Sequence, residues 1–412
     1  MIDIDKKYWL NIYSFVYCRI EEKRAFLYNT QSGESIETTH SAVLDLLSSM
    51  HKKHNLGAIC CTGSVLNEVF PFIVEFCNKK MGNIADIEQM PEKPIQLMPV
   101  LNLQCDIEEE RNTGTEILQN LLELNIYPNS HCRQVCQYCD AYYKQVPCCT
   151  SASNSEILDV SILHNIISQI RFGVVGKINI LGGNILQYPE LWELSNLLAD
   201  FKDRTHFYIH YKNYERNTIV ENFHTVLIVN FPIDKPALDK VLLKISKEKA
   251  NVHFIVEDEE QYTEIEQFIE DYTIEKYEIK PFFNGNNMLF FNENVFMTDE
   301  DIFSKILSMR EIFKNQKLNS NLFGVLHIFQ DGSVKANPNT TTLGNIKTDK
   351  ILDLVYKEML DNTAWRMIRD SRPCRECLYQ FICPSPSNYE IAIGKPNLCH
   401  MIKPLCRLTI FL

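Results

Sequence analysis

Two groups of cysteines carry most of the chemistry this sequence offers. The stretch "HCRQVCQYCD", residues 131–140, holds Cys132, Cys136 and Cys139 at spacings of four and three. The segment "PCRECLYQFICPSPSNYEIAIGKPNLCH" holds Cys374, Cys377, Cys383 and Cys399. The chain has 15 cysteines, an odd count, and none between residues 150 and 373. Clustering of that kind fits metal ligation better than a disulfide framework.

Three readings of the first group stand side by side. Spacings of four and three put all three thiols on one face of a helix, where free cysteine is a good buried residue. A zinc site needs a fourth donor, for which Cys148, Cys149 or His131 are at hand. A [4Fe–4S] cluster is the third, since soft thiolates select such clusters and three of them leave one iron open. For the second group, four cysteines in a loop-rich segment predict a closed four-thiolate site, with zinc and iron–sulfur not separated by spacing. Cys18, Cys60, Cys61, Cys77 and Cys105 read as small core residues.

A further element lies in "INILGGNILQYPEL". Gly182 and Gly183 end an apolar run, where bare backbone lets a ligand come close or where a βα turn needs glycine.

The elements that must position these residues follow a βα rhythm. Apolar or β-branched runs at 122–128, 177–182, 206–211, 225–231, 251–256 and 277–283 alternate with helical stretches such as "EILDVSILHNIISQI" and "YTEIEQFIEDY". Six strands alternating with helices predict parallel units, either an open doubly wound sheet or a partly closed barrel. Sites in such folds gather where strands end and βα loops begin. The first cysteine group sits there, directly after the first run.

The sequence before and after this region differs. Residues 1–81 read as a small module, with strands in "RAFLYNT" and "SIETT" and a helix in "HSAVLDLLSSM". Residues 82–119, with Pro91, Pro94 and Pro99, read as a linker. The βα region spans 120–315, and 316–412 is a third region with a hairpin in "FQDGSVKA" and a helix near "KILDLVYKEML".

At 412 residues and 45% hydrophobic content the chain can build a sizeable core without staples. A net charge of -12 with no basic block argues against nucleic acid or an anionic membrane as partner. No basic n-region precedes an apolar run and no stretch approaches membrane-spanning length, so a cytoplasmic location is expected. No P-loop, GxGxxG or HExxH is present.

With Tyr138 just before its last cysteine and a strand just upstream, CxxxCxxC resembles the radical S-adenosylmethionine enzymes. The resemblance implies an α/β fold, a partial (β/α)6 barrel, with a [4Fe–4S] cluster on Cys132, Cys136 and Cys139. It also implies an S-adenosylmethionine site lined by Tyr138, Gly182, Gly183 and Asn184, where the open iron holds the cofactor whose cleavage yields a 5′-deoxyadenosyl radical. Asn184 departs from the family's usual Glu and brings no charge to the cofactor's ammonium.

CxxCx5C with a later cysteine resembles the outer auxiliary-cluster ligands of the SPASM domain, which implies a second cluster on Cys374, Cys377, Cys383 and Cys399. Asn337 and Ser387 stand where that domain's inner cluster has cysteines, so one auxiliary cluster is expected. Most of the chain, from "KYWLNIY" and "FLYNTQSGES" onward and most strongly its C-terminal eighty or so residues, resembles SPASM-domain proteins of ribosomal peptide systems in Bacteroidetes, including the pseudo-radical-SAM proteins of the Gly-Gly-leader type. The N-terminal module looks like a winged-helix leader-recognition element.

What this implies is a radical peptide maturase. Its partners would be a ribosomal precursor peptide with a leader, an electron donor such as a flavodoxin or ferredoxin, and a second maturase subunit. The other implied function is a non-catalytic partner that binds precursor peptide or a catalytic maturase and keeps a cluster for structure. The resemblance assigns no catalytic side chain.

Overall fold

The computed structural model describes residues 2–97, 116–134, 136–150, 156–245 and 248–401. Cys105 and Cys406 lie outside them.

Six strands form where the sequence has its six apolar runs: β7 (Glu123–Ile126), β8 (Lys177–Ile180), β9 (Thr205–His210), β10 (His224–Asn230), β11 (Ala250–Val256) and β12 (Tyr277–Pro281). They lie side by side in chain order, each parallel to the next. Beyond β7 the sheet continues through β13 (Val325–Ile328), β14 (Ser333–Lys335) and β15 (Gly344–Asn345). The nine strands make an open mixed α/β sheet with β12 and β15 at its edges. β13 and β14 form the hairpin expected in "FQDGSVKA", and Ile351–Asp361 is the expected helix.

Register sorts the side chains onto two faces, because successive residues of a strand point to opposite sides. Leu124, Ile126, Ile178, Ile180, Phe207 and Ile209 share one face and pack with the helices Val160–Ile170, Leu191–Leu197 and Ile351–Asp361 in the largest buried cluster. Val252, Phe254 and Val256 do the same against Lys235–Leu242 and Glu259–Tyr272. Each such side chain contributes about 1.5–3 kcal/mol on burial. The opposite face is polar at the start of the strands and turns aromatic and apolar toward their ends.

The N-terminal unit has two three-stranded sheets. One has the order β5–β1–β6, from Ala58–Thr62, Lys7–Ile12 and Gly82–Asp86; the other has β2–β3–β4, from Val16–Glu21, Arg24–Asn29 and Ser35–Thr38. β6 pairs with β1 along its whole length, so the unit extends five residues into the stretch read as a linker. The helix Ser41–Met50 buries Val43, Leu47 and Met50 in the unit's core, with Cys61 inside it and Cys18 and Cys77 packed against it. Cys60 differs from the expectation, because alternation along β5 turns it to the exposed face.

Candidate functional site

The first cysteine group lies just past the end of β7. Only Cys139 is helical, at the first turn of Cys139–Gln145, while Cys132 and Cys136 sit in the preceding loop. The reading as one helical face is therefore overturned: the chain does not become helical until the last of the three.

Two neighbouring strand ends hold this loop. The Gly183 N–H donates to the Asn129 carbonyl at 3.0 Å, and the Asn184 N–H to the His131 carbonyl at 2.6 Å. A Cβ on Gly183 would stand 2.3 Å from the His131 oxygen, and one on Gly182 would stand 2.6 Å from the Asn129 oxygen. Gly182 also has φ +106°, which disfavours any side chain. The close approach these glycines permit is thus to the segment leading into Cys132.

Asn184 is buried, and its side-chain oxygen accepts from the Leu186 N–H at 3.1 Å, capping a short turn. Tyr138 is half-buried, with its ring tilted against Phe282 at 5.1 Å and edge-on to Tyr142 at 6.1 Å. All four residues expected to line a cofactor site are therefore placed around the loop of Cys132, Cys136 and Cys139.

Polar partners of this loop come from β9 and β10. Asn213, in the turn after β9, donates to the Cys132 sulfur at 3.2 Å, and Gln134 Nε2 steadies its oxygen at 3.1 Å. The Lys212 N–H donates to His210 Nδ1 at 3.2 Å, which leaves the proton on Nε2 to donate to Asn230 at 2.7 Å. Asn230 in turn favours the ionised forms of the Cys136 thiol and the Tyr142 hydroxyl, against the larger opposing effect of burial. Burial holds His210 down at about 4, so the ring is neutral at neutral pH.

Burial pushes the Cys136 thiol up to about 12, and the neighbouring Cys149, Cys139 and Cys132 add to the effect.

Below this loop the sheet face is first aromatic and apolar, at Tyr127, Leu181, Tyr208 and Ile228, and becomes polar toward the start of the strands. Asn125 accepts from Asn179 at 2.7 Å, His206 stacks on His224 at 4.9 Å, and Tyr208 meets His253 edge-on. Buried polar atoms without a partner among the described residues include the Tyr127 hydroxyl, Asn129 Oδ1, Asn179 Oδ1, His253 Nδ1 and His327 Nδ1. By register and alternation, the ones on β8, β11 and β13 belong to this face. Unpaired buried polar atoms are what a site for a polar ligand leaves open. Sequence reading passed over them, although "HFYIHY" carries the signal: His206, Tyr208 and His210 alternate with apolar residues.

The second group gathers in the last described segment. Cys374 and Cys383 are buried and Cys377 and Cys399 half-buried. The Cys383 thiol is pushed up to about 12 by burial, while Arg369 pulls it down and Cys377, Cys399 and Cys374 push it up. Arg369 donates to the Cys374 sulfur at 3.7 Å and pairs with Glu390 at 2.8 Å, both side chains 4% exposed. Glu390 also closes a capping box with Ser387 on the helix Asn388–Ile393.

Asn337 is buried and bonds Asn388 at 2.8 Å, and Asn388 donates to the Gln145 carbonyl at 2.9 Å. Asn339 donates to the Lys144 carbonyl at 2.7 Å. A polar network therefore ties this region to the end of the helix that begins at Cys139. On its other side the segment meets the N-terminal unit. Arg19 and Arg24 donate to the carbonyls of Arg375 and Glu376 at 2.6 and 2.8 Å, and Phe26 meets Tyr379 edge-on at 5.1 Å.

Among the described residues no group of three or more His, Cys, Asp or Glu side chains is arranged to hold a metal ion. Each thiolate of a four-iron cluster binds its own iron, so such thiolates stand wider apart than ligands sharing one zinc at about 2.3 Å. Three and four thiols are soft donor sets of the chemical kind that iron–sulfur clusters take. No helix is long and apolar enough to cross a membrane among the described residues.

No protein-family profile and no curated protein matches this chain. Among solved structures it is similar to Streptococcus suis SuiB bound to precursor peptide SuiA, with 16% identity, a TM-score of 0.46, and 97% of this chain and 100% of that chain covered. It is also similar to Streptococcus suis SuiB bound to S-adenosylmethionine, with 14% identity, a TM-score of 0.48 and the same coverage.

Proposed function

We propose that this chain is a radical S-adenosylmethionine peptide maturase acting on a ribosomally made precursor. One observation carries the reading: CxxxCxxC lies at the end of the first of six parallel strands, against the glycine pair of the next strand. Cys132, Cys136 and Cys139 would hold the cluster, and Cys374, Cys377, Cys383 and Cys399 an auxiliary one.

When bound, the first cluster would supply the electron for reductive cleavage of the cofactor's sulfonium. The chain's own residues bind and orient. Asn213 donates to the sulfur of Cys132, Tyr138 and Gly183 would border the cofactor's place, and the polar face would take the substrate. A closed auxiliary site has no open iron, so its role is electron relay or holding the C-terminal region together. The N-terminal unit would take the leader by strand addition, and a flavodoxin or ferredoxin would supply electrons.

Anaerobic reconstitution followed by reduction with S-adenosylmethionine tests this. Release of 5′-deoxyadenosine by the wild type and none by Cys132→Ala is expected. A fully iron-loaded protein that releases none refutes it.

A second reading, a non-catalytic partner, draws on Asn184. Its oxygen is spent on Leu186 N–H and carries no charge for an ammonium group. That reading expects peptide binding that survives Cys132→Ala, with no turnover.

A further inference from the structure

The helix Cys139–Gln145 has seven residues, short of the length at which a helix sustains itself, so it must be held from outside. Tyr138, before its first turn, supplies no side-chain cap. Its last turn is held by two distant segments. The Gln145 side chain clasps one residue past β12, donating to the Phe283 carbonyl at 2.8 Å and accepting from the Phe283 N–H at 2.9 Å. Asn339 and Asn388, from the C-terminal region, donate to the Lys144 and Gln145 carbonyls at 2.7 and 2.9 Å. Carbonyls at a helix end have no partner within the helix, and these amides supply one.

The direction of the Asn388 amide is fixed by its neighbours. The Asn339 N–H donates to Asn337 Oδ1 at 2.9 Å, which leaves Asn337 Nδ2 to donate to Asn388 Oδ1 at 2.8 Å. Asn388 Nδ2 is therefore the group that faces Gln145. Asn388 opens the helix Asn388–Ile393, and the residues after it are anchored too. Tyr389 packs against the buried cluster of Tyr142, Val146 and Phe282. Glu390 accepts from Arg369 at 2.8 Å and from the Leu398 N–H at 3.3 Å, and Arg369 donates to the Cys374 sulfur at 3.7 Å. One turn thus grips the helix of Cys139 with its first residue and the segment of Cys374 and Cys399 with its third.

We infer that Asn388 is a positioning residue for the first cysteine site. Its amide closes the helix Cys139–Gln145 and so fixes Tyr138 and Cys139, and Glu390 ties that hold to the C-terminal cysteine segment. The inference deepens the reading of this loop as the reaction centre and rests on it for its functional meaning.

Amide hydrogen exchange of the full chain, read by mass spectrometry, tests it. Asn388→Asp keeps the size of the side chain and the acceptor for Asn337 but has no donor for Gln145. The amides of Tyr142 and Val146, bonded to the Tyr138 and Tyr142 carbonyls at 2.9 and 3.0 Å, should exchange about fivefold faster or more on loss of that hydrogen bond. Those of Val160–Ile170 and Glu259–Tyr272 should not change, because a carboxylate is well placed in the first turn of a helix and the fold is kept. Glu390→Gln, which has no contact with the helix of Cys139, should speed the same amides, and the double variant should be no faster than Asn388→Asp.

Equal exchange in Asn388→Asp and wild type overturns the inference. So does an equal rise in every helix, which marks a general loss of stability, and so does a double variant faster than Asn388→Asp. Should Asn388→Asp misfold, Asn388→Ala carries the test with the same outcomes. Exchange is read apart from activity, so the two readings fail separately. Faster exchange confined to this helix, in a chain whose wild type releases no 5′-deoxyadenosine, removes the maturase reading alone. Unchanged exchange beside normal release removes the inference alone.

Discussion

The side-chain amide of Asn213 donates to the sulfur of Cys132 over 3.2 Å, joining the turn after β9 to the loop after β7. The two residues are 81 positions apart, and the bond exists because β7, β8 and β9 are adjacent and parallel. A donor to a thiolate stabilises its negative charge and thereby the more negative, reduced state of whatever the thiolate holds. Asn213→Leu should make the first site's reduction potential more negative and weaken its iron binding by about 10-fold. Anaerobic redox titration with iron retention against a chelator measures both, and unchanged values would remove Asn213 from the site.

Gly183→Ala puts a methyl group 2.3 Å from the His131 carbonyl oxygen. Backbone atoms cannot turn aside as a flexible side chain can, so the loop into Cys132 must move. A loss of about 1–3 kcal/mol is expected, read as a lower urea midpoint, together with lower iron content. Gly394→Ala, which meets nothing within 4 Å but has φ +72°, should keep wild-type iron content and lose only stability.

Arg369→Met leaves the Glu390 carboxylate buried opposite an apolar side chain. Removing one partner of a buried pair costs about 3–5 kcal/mol, more than the pair itself contributes. The double variant Arg369→Met with Glu390→Gln should recover part of that loss. Urea unfolding of the three variants forms the cycle, and additive losses would show that the two side chains are not coupled.

Burial holds His210 at about 4 and His327 at about 3 in the folded chain. Both would titrate at about 6.5 once unfolded. Between those values the unfolded chain binds more protons, so the stability they contribute is present above about pH 6.5 and is lost as pH falls toward 4. Each contributes a slope of about 1.4 kcal/mol per pH unit in that window. Urea midpoints at pH 5 and pH 7 measure the difference, and His327→Phe should reduce it.

Local features of the chain were legible without its structure. Each of the six strands matches an apolar run to within one residue at its start, because burial of one face selects apolar residues over a few consecutive positions. The hairpin around Gly332, which has φ +87°, and the helix Ile351–Asp361 follow from turn chemistry and periodicity in the same way. The spacing of Cys132, Cys136 and Cys139 placed a soft donor set after the first strand, since ligand spacing in a loop is also local.

Other relationships depended on register, a pairing between distant segments that no local pattern encodes. It brings Asn213 to the cysteine loop. It also aligns His206, Tyr208 and His253 on one face. In the same way, contact between Arg19 and Arg24 and the carbonyls beside Cys377 joins the first unit to the last. The sequence thus determined which residues could ligate and which segments could become strands. The tertiary structure decided which donors meet, because parallel pairing sets neighbours across the sheet regardless of their separation along the chain.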